Sequence, residues 1–265
     1  MPTILLTNDD GITSPALLSL RRVLEPLGTV ITIAPDRNYS AVARGITIDR
    51  ALHIDPLTFG EADYYGNAIN GTPVDCVRVA MLGFFGPRPD FIVSGINTGA
   101  NLGDDVTYSG TVAAALEGVL LGLPAAAVSA ASREPRYLDE TAAVVVPLIK
   151  RALDEGLPPR TLINVNIPEL RLAEIKGIRL THLGRASYHD RLVVESEDGT
   201  HNTYSMKSIK NGDADHEAGS DFEAVGSGYV SLTPLLFDLS SEPGERALRD
   251  WDLGDLFAET TRQEQ

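Results

Sequence analysis

The sequence predicts an open α/β sheet with helices on its faces, and three observations carry that prediction. Short runs of Val, Ile, Leu and Ala recur up to Asn166 with little polar alternation, as strands buried on both faces read. Helical patterns separate the runs, and a helix between consecutive strands implies a parallel crossover. Three of the runs end in loops rich in glycine and oxygen-bearing side chains.

Taken in order, strands are expected over residues 4–7, 30–34, 91–94, 125–129 and 162–166. Helices are expected over residues 15–27, 73–82, 111–121 and 137–155. The stretch "TPVDCVRVAM" opens with Thr72 as N-cap and Pro73 at the first helical position, where its missing N–H is harmless. After about residue 175 the texture changes to alternating strand-like arms, with "EDGT" as a hairpin turn between them. "NGDADHEAGSD" reads as a polar acidic loop, "GYVSLTPL" as a further strand, and the tail shows a helical pattern over residues 245–256. The chain thus divides into a core, 1–175, and a hairpin with extension, 176–265.

The 265 residues carry 43% hydrophobic and 22% charged side chains, a composition with ample material for a core. The net charge of −15 repels a phosphate polymer and so disfavours a nucleic-acid partner. The one cysteine, Cys76, excludes an intramolecular disulfide and reads as part of an apolar helix face. No signal-peptide pattern opens the chain, and its most apolar stretch is broken by Glu117, Gly118, Gly122 and Pro124. A cytoplasmic protein without a membrane segment is the expectation.

In an open parallel sheet, ligands bind beyond the carboxyl ends of the strands. The first strand runs into Asp9 and Asp10, two adjacent carboxylates that repel unless a cation joins them. An ordinary Asp-Gly turn or a helix N-cap is the plain alternative. The other strand ends offer the Ser40 hydroxyl and the Asn97 amide, with no Cys or His. Such a set of hard oxygen donors suits Mg²⁺, Mn²⁺ or Ca²⁺ rather than structural zinc. In "YSGTVAAALEG", Ser109 or Thr111 can cap a helix and Gly110 permits close backbone approach, a helix start suited to phosphate. A metal beside a phosphate cradle is a constellation for phosphoryl hydrolysis.

The motifs "ILLTNDDGITSPAL", "APDRNYSAVARGITI", "NGTPVDCV", "PDFIVSGINTGANLGDDVTYSGTVAAALEG", "LINVNIP" and "GSDFEAVGSGYVSLTPL" follow one another in an order that resembles the SurE family of metal-dependent 5′(3′)-nucleotidases. The resemblance implies a Rossmann-like core, with a carboxy-terminal hairpin and extension used to form a homodimer or homotetramer. It implies hydrolysis of nucleoside monophosphates as a 5′-nucleotidase or acid-type phosphatase, with action on 3′-monophosphates and polyphosphate. Carried over by motif, Asp9, Asp10, Ser40 and Asn97 would hold one divalent cation, Mg²⁺ or Mn²⁺. Asn101, Ser109, Gly110 and Thr111 would bind the phosphate. The family often has a glycine soon after the serine, where this chain has Ala41, Val42 and Ala43.

Asp9 or Asp10 would act as general base towards water, with direct aspartate attack as the rival mechanism. His182 and His189 read as surface or interface residues, with a leaving-group acid from that region left open. Two other function classes fit the residues less well. A haloacid-dehalogenase-type phosphatase needs its two aspartates separated by one residue, and these are adjacent. A non-catalytic nucleotide-binding module would show a glycine fingerprint after the first strand, which "NDDGITSP" lacks.

Overall fold

Five parallel strands carry the centre of the structure, a computed structural model that describes residues 1–58, 65–185, 188–197, 202–210, 217–251 and 253. In chain order the elements are β1 (Thr3–Thr7), α1 (Pro15–Leu24), β2 (Thr29–Pro35), β3 (Ile54–Leu57), β4 (Gly66–Ile69), α2 (Pro73–Met81), β5 (Phe91–Thr98), α3 (Gly110–Leu120), β6 (Ala125–Ala130), α4 (Leu138–Glu155) and β7 (Thr161–Ile167). There follow β8 (Ile178–Leu180), β9 (Tyr188–Glu197), β10 (Asn202–Lys210), α5 (Asp221–Gly226), β11 (Val230–Leu236) and α6 (Glu242–Arg249). Nine strands form one sheet in the order β3-β4-β2-β1-β5-β6-β7-β11-β8, and β9 with β10 forms a separate antiparallel pair. This is the Rossmann-like, mostly parallel sheet that the sequence predicts, with helices on both faces.

Alternate residues of each central strand serve the two faces. Ile4 and Leu6 of β1 pack in a cluster with Leu17 and Leu20 of α1 and Val145 of α4. Leu5 and Ile92 pack on the other face with Cys76 and Val77 of α2 and Ala115 of α3. Cys76 is fully buried there, and burial pushes its thiol pKa up, so it is core rather than nucleophile. The chain leaves β1 towards β2 and later returns to the opposite side of β1 as β5. The strand order therefore reverses at β1 and β5, where a crevice opens beyond their carboxyl ends.

Helix boundaries have local causes. α1 stops at Leu24, short of the expected 27, because Pro26 has no N–H to continue the ladder, although Glu25 before it keeps helical angles and still donates its N–H to Arg21 O. α2 begins with a reciprocal capping box. Asp75 N–H donates to Thr72 Oγ1 (3.2 Å) and Thr72 N–H to Asp75 Oδ2 (2.8 Å). Ser109 caps α3 by accepting from Val112 N–H at 3.1 Å. α6 starts at Glu242, earlier than the pattern over 245–256 suggests, because Ser241 accepts from Gly244 N–H at 3.1 Å.

Beyond residue 175 the chain contributes in two ways. β11 pairs antiparallel with β7 and parallel with β8, extending the main sheet. β9 and β10 pair with each other alone among the named strands. The expected "EDGT" turn, most of the acidic loop and the end of the tail lie outside the described residues. No described helix is long and apolar enough to cross a membrane.

Candidate active site

The turn after β1 is braced from within. Asn8 Nδ2 donates to Gly11 O (3.0 Å) and Gly11 N–H returns a bond to Asn8 Oδ1 (3.1 Å). Gly11 has φ +103°, and a Cβ there would stand 3.1 Å from the Arg37 carbonyl carbon, so glycine alone closes the turn without strain. This turn presents Asp9 and Asp10 side by side at the switch point.

The two carboxylates sit at different depths. Asp9 is 3% exposed, and its carboxylate accepts from the Thr111 hydroxyl at the start of α3. Burial raises its pKa to about 6, against the lowering effect of Thr111, with the Asp10 charge adding to the rise. Asp10 is half-buried and is held by Thr98, whose N–H reaches Oδ2 at 3.1 Å and whose hydroxyl lies 3.3 Å away. Asn38 Nδ2 adds a bond to Oδ1 at 3.3 Å. Burial raises the Asp10 pKa as well, and the Thr98 bonds oppose it.

Ser40 comes to this place on a loop with pins on either side. Tyr39 N–H donates to Asp9 O (2.8 Å) and Ala43 N–H to Tyr108 O (3.1 Å). Arg44 then reaches Glu117 of α3 (Nη2 to Oε2, 2.6 Å), which also takes Arg78 of α2 (Nε to Oε1, 2.8 Å) and is 1% exposed. Between the pins Ala41 and Ala43 adopt φ of +58° and +53°, the left-handed region that glycine enters without penalty. The chain thus keeps the glycine-type conformation after Ser40 with alanine side chains.

Asn97 ends β5 and donates Nδ2 to Gly99 O at 2.7 Å, which leaves its amide oxygen as the atom to offer. Asn101 is gripped from behind. Its N–H donates to Asn166 Oδ1 (2.8 Å), its carbonyl accepts from Asn164 Nδ2 (2.9 Å) and Asn166 Nδ2 (3.0 Å), and its own Nδ2 reaches Ser129 Oγ (2.7 Å). Asp9, Asp10, Ser40, Asn97, Asn101 and Ser109 all line one cavity of about 760 Å³. Gly110 and Thr111 stand behind it. The Thr111 hydroxyl is spent on Asp9, and a Cβ on Gly110 would lie 2.8 Å from Asp9 Cβ, which explains the small residue.

Sequence reasoning passed over Thr98, Asn38 and the Ser129–Asn164–Asn166 brace. The available signal was two asparagines at alternate positions of an otherwise apolar strand, which share one face and require partners there. His182 is exposed, 3.8 Å from Glu217, and does not line the cavity, while the side chain of His189 lies outside the described residues.

The comparisons with known proteins agree with this fold. The model of the family described as Survival protein SurE matches residues 4–190. The chain belongs to the SurE family. A relative from Rubrobacter xylanophilus named 5′-nucleotidase SurE is 44% identical, covering 96% of this chain and 98% of its own. One of the same name from Aquifex aeolicus is 43% identical over 91% of this chain and 94% of its own. The crystal structure of the SurE protein from Aquifex aeolicus superposes with a TM-score of 0.81 at 40% identity, covering 94% of this chain and 98% of that one.

The donors at this SurE cavity fit a hard divalent ion. They are two carboxylates, an amide oxygen and a hydroxyl, and the charge repulsion between Asp9 and Asp10 is the feature that a cation relieves. Among the described residues no group of three or more His, Cys, Asp or Glu side chains is placed to hold a metal, so a soft-ligand site is not assembled from them.

Proposed function

We propose that the protein is a 5′-nucleotidase that uses one divalent cation, Mg²⁺ or Mn²⁺, to hydrolyse nucleoside 5′-monophosphates to nucleoside and inorganic phosphate. Nucleoside 3′-monophosphates and polyphosphate are its secondary substrates. The observation that carries this reading is the meeting of Asp9, Asp10, Ser40 and Asn97 with Asn101 and Ser109 around one cavity at the strand-order reversal. The relatives' name supplies the nucleotide as substrate.

Asp9, Asp10, Ser40 and Asn97 would hold the ion, which when bound offsets phosphate charge and acidifies water. Thr98 fixes Asp10 as a ligand through its N–H and hydroxyl. Asp9, with one oxygen engaged by the Thr111 hydroxyl, takes the proton of the attacking water on the other oxygen, Oδ2. The water oxygen joins phosphorus, the phosphorus–ester bond breaks, and the nucleoside leaves with its hydroxyl. Asn101, immobilised by Asn164 and Asn166, and Ser109 at the α3 start orient the phosphoryl oxygens. Gly110 keeps that helix start against Asp9.

The protein acts in the cytoplasm as a homodimer or homotetramer. Support for self-association comes from β9 and β10, where Leu192 faces Met206 and Val194 faces Tyr204 in register and all four are exposed. A lone two-stranded pair is marginally stable in water, and a second copy covering this apolar face stabilises it.

The test is phosphate release from a panel of nucleoside 5′-monophosphates by metal-free protein with and without added Mn²⁺ or Mg²⁺. Release that needs the ion and stops with chelator is expected. Undiminished release in chelator removes the metal, and no release from any nucleotide leaves the non-catalytic binding module as the better reading.

A further inference from the structure

We infer that Arg133 binds the substrate's phosphoryl group from the β6 side of the cavity, on oxygens turned away from the carboxylates. The inference rests on the phosphomonoesterase reading and adds a residue to it.

Charge distribution is the first support. The charged residues lining the cavity are Asp9, Asp10, Asp105 and Arg133, so Arg133 is the one cation among the described lining residues. A phosphomonoester carries close to two negative charges at neutral pH, and the whole chain carries −15. A fixed cation near the ion site offsets part of that repulsion.

Pairing is the second. Arg44 and Arg78 are committed to Glu117, Arg136 to Glu169, Arg151 to Glu155 and Arg179 to Glu223. The Arg133 guanidinium has no such partner among the described residues. Its fork of donors matches phosphate oxygens two at a time.

Position is the third. Along the sheet edge Ser40 follows β2, the aspartates follow β1, Asn97 ends β5, and Arg133 follows β6. The candidate ion ligands thus occupy three neighbouring strand ends, and the cation stands on the fourth. Gly99 N–H donates to Ala130 O at 3.0 Å and draws the ends of β5 and β6 together. A Cβ built on Gly99 would lie 3.9 Å from Arg133 Cγ and 3.9 Å from Asn97 Nδ2, so the arginine stem and the Asn97 amide border the same space over Gly99. A phosphoryl group held over β1 and β5 meets this guanidinium on its β6 side.

The experiment uses the full chain with Arg133→Ala and Arg133→Lys. For each, KM for a nucleoside 5′-monophosphate, competitive inhibition by inorganic phosphate, inhibition by the parent nucleoside, and Mn²⁺ affinity are measured. Loss of the arginine raises KM and the phosphate inhibition constant about tenfold, the scale of a hydrogen bond between charged groups at a partly exposed site. Nucleoside inhibition and Mn²⁺ affinity stay within twofold, and Arg133→Lys recovers part of the phosphate affinity. A merely structural role would shift all four together. Phosphate inhibition within twofold of the parent in Arg133→Ala overturns the inference. Calorimetric titration with inorganic phosphate reads the same loss of affinity even if the parent protein hydrolyses no nucleotide, so failure of the nucleotidase reading is distinguishable.

Discussion

The carboxyl edge of the main sheet and the β9–β10 hairpin are opposites in how they treat polarity. Beyond β1 and β5, polar side chains that ought to be solvated are buried and hydrogen-bonded to one another, as with Asp9 to Thr111 and Asn101 to Asn166. On the hairpin, apolar side chains that ought to be buried stand in solvent, Leu192 at 69% and Met206 at 71% exposed. Each exception marks a different use. Buried polar groups with converging oxygen atoms mark chemistry, and an exposed apolar face marks a contact. The proposed chemistry and the proposed self-association therefore lie where each region departs from its own packing rule.

If the two regions are independent, the largest effects fall at the carboxylates and leave assembly intact. Asp9→Asn and Asp10→Asn should each lower kcat/KM for a nucleoside 5′-monophosphate by about 10³-fold, the scale of losing one electrostatic contact to the transition state. Their sedimentation behaviour should match the parent.

Two charges at the hairpin should do the reverse. Leu192→Asp with Met206→Asp removes two apolar contacts, each worth about 1.5–3 kcal/mol when buried. Self-association followed by ultracentrifugation should weaken by about 100-fold or more. Mn²⁺ affinity should be unchanged. A loss of ion binding in this variant would mean that the two regions are coupled.

A pH series concerns the carboxyl edge alone. The folded-state pKa of Asp9, about 6, lies above its unfolded value, so the native state binds its proton more tightly. Charged Asp9 then destabilises the metal-free fold above about pH 6, and the effect is absent below about pH 4. The difference is about 3 kcal/mol across that window, read as denaturant midpoints of metal-free protein. Added Mn²⁺ should remove the loss on the high-pH side.

The smallest expected effect concerns the Ser40 loop. Ala41→Gly relieves a left-handed alanine and adds chain entropy to the unfolded state, for a net gain of about 0.5–1 kcal/mol in denaturant titrations. Destabilisation would mean that the Ala41 methyl group makes contacts worth more than the backbone strain.

Much of the main sheet was legible because its central strands are buried on both faces, and apolar runs such as 4–7 and 125–129 have no other stable place. β3 and β4 were not legible. They are four residues each, without an apolar run, and β3 carries Pro56, which only an edge position tolerates. The insertion of β11 between β7 and β8 joins residues more than fifty positions apart in the chain, which no local pattern encodes. At the site, Asp9 and Asp10 stood out because adjacent carboxylates after a buried strand demand a reason. Thr98 did not, because its role exists only once β5 lies beside β1, and Asn164 and Asn166 did not, because theirs exists only once β5, β6 and β7 lie side by side.

All of this depends on Asp9 and Asp10 being two halves of one divalent-ion site. Mn²⁺ titration of the metal-free protein from about pH 5 to about pH 8 reads that site without relying on turnover. One site per chain is expected, with an affinity that falls about tenfold per pH unit below about 6, as Asp9 takes up its proton, and levels off above. Asp9→Asn and Asp10→Asn should each remove the site. Binding that ignores pH and survives both substitutions would contradict the shared-ion assignment.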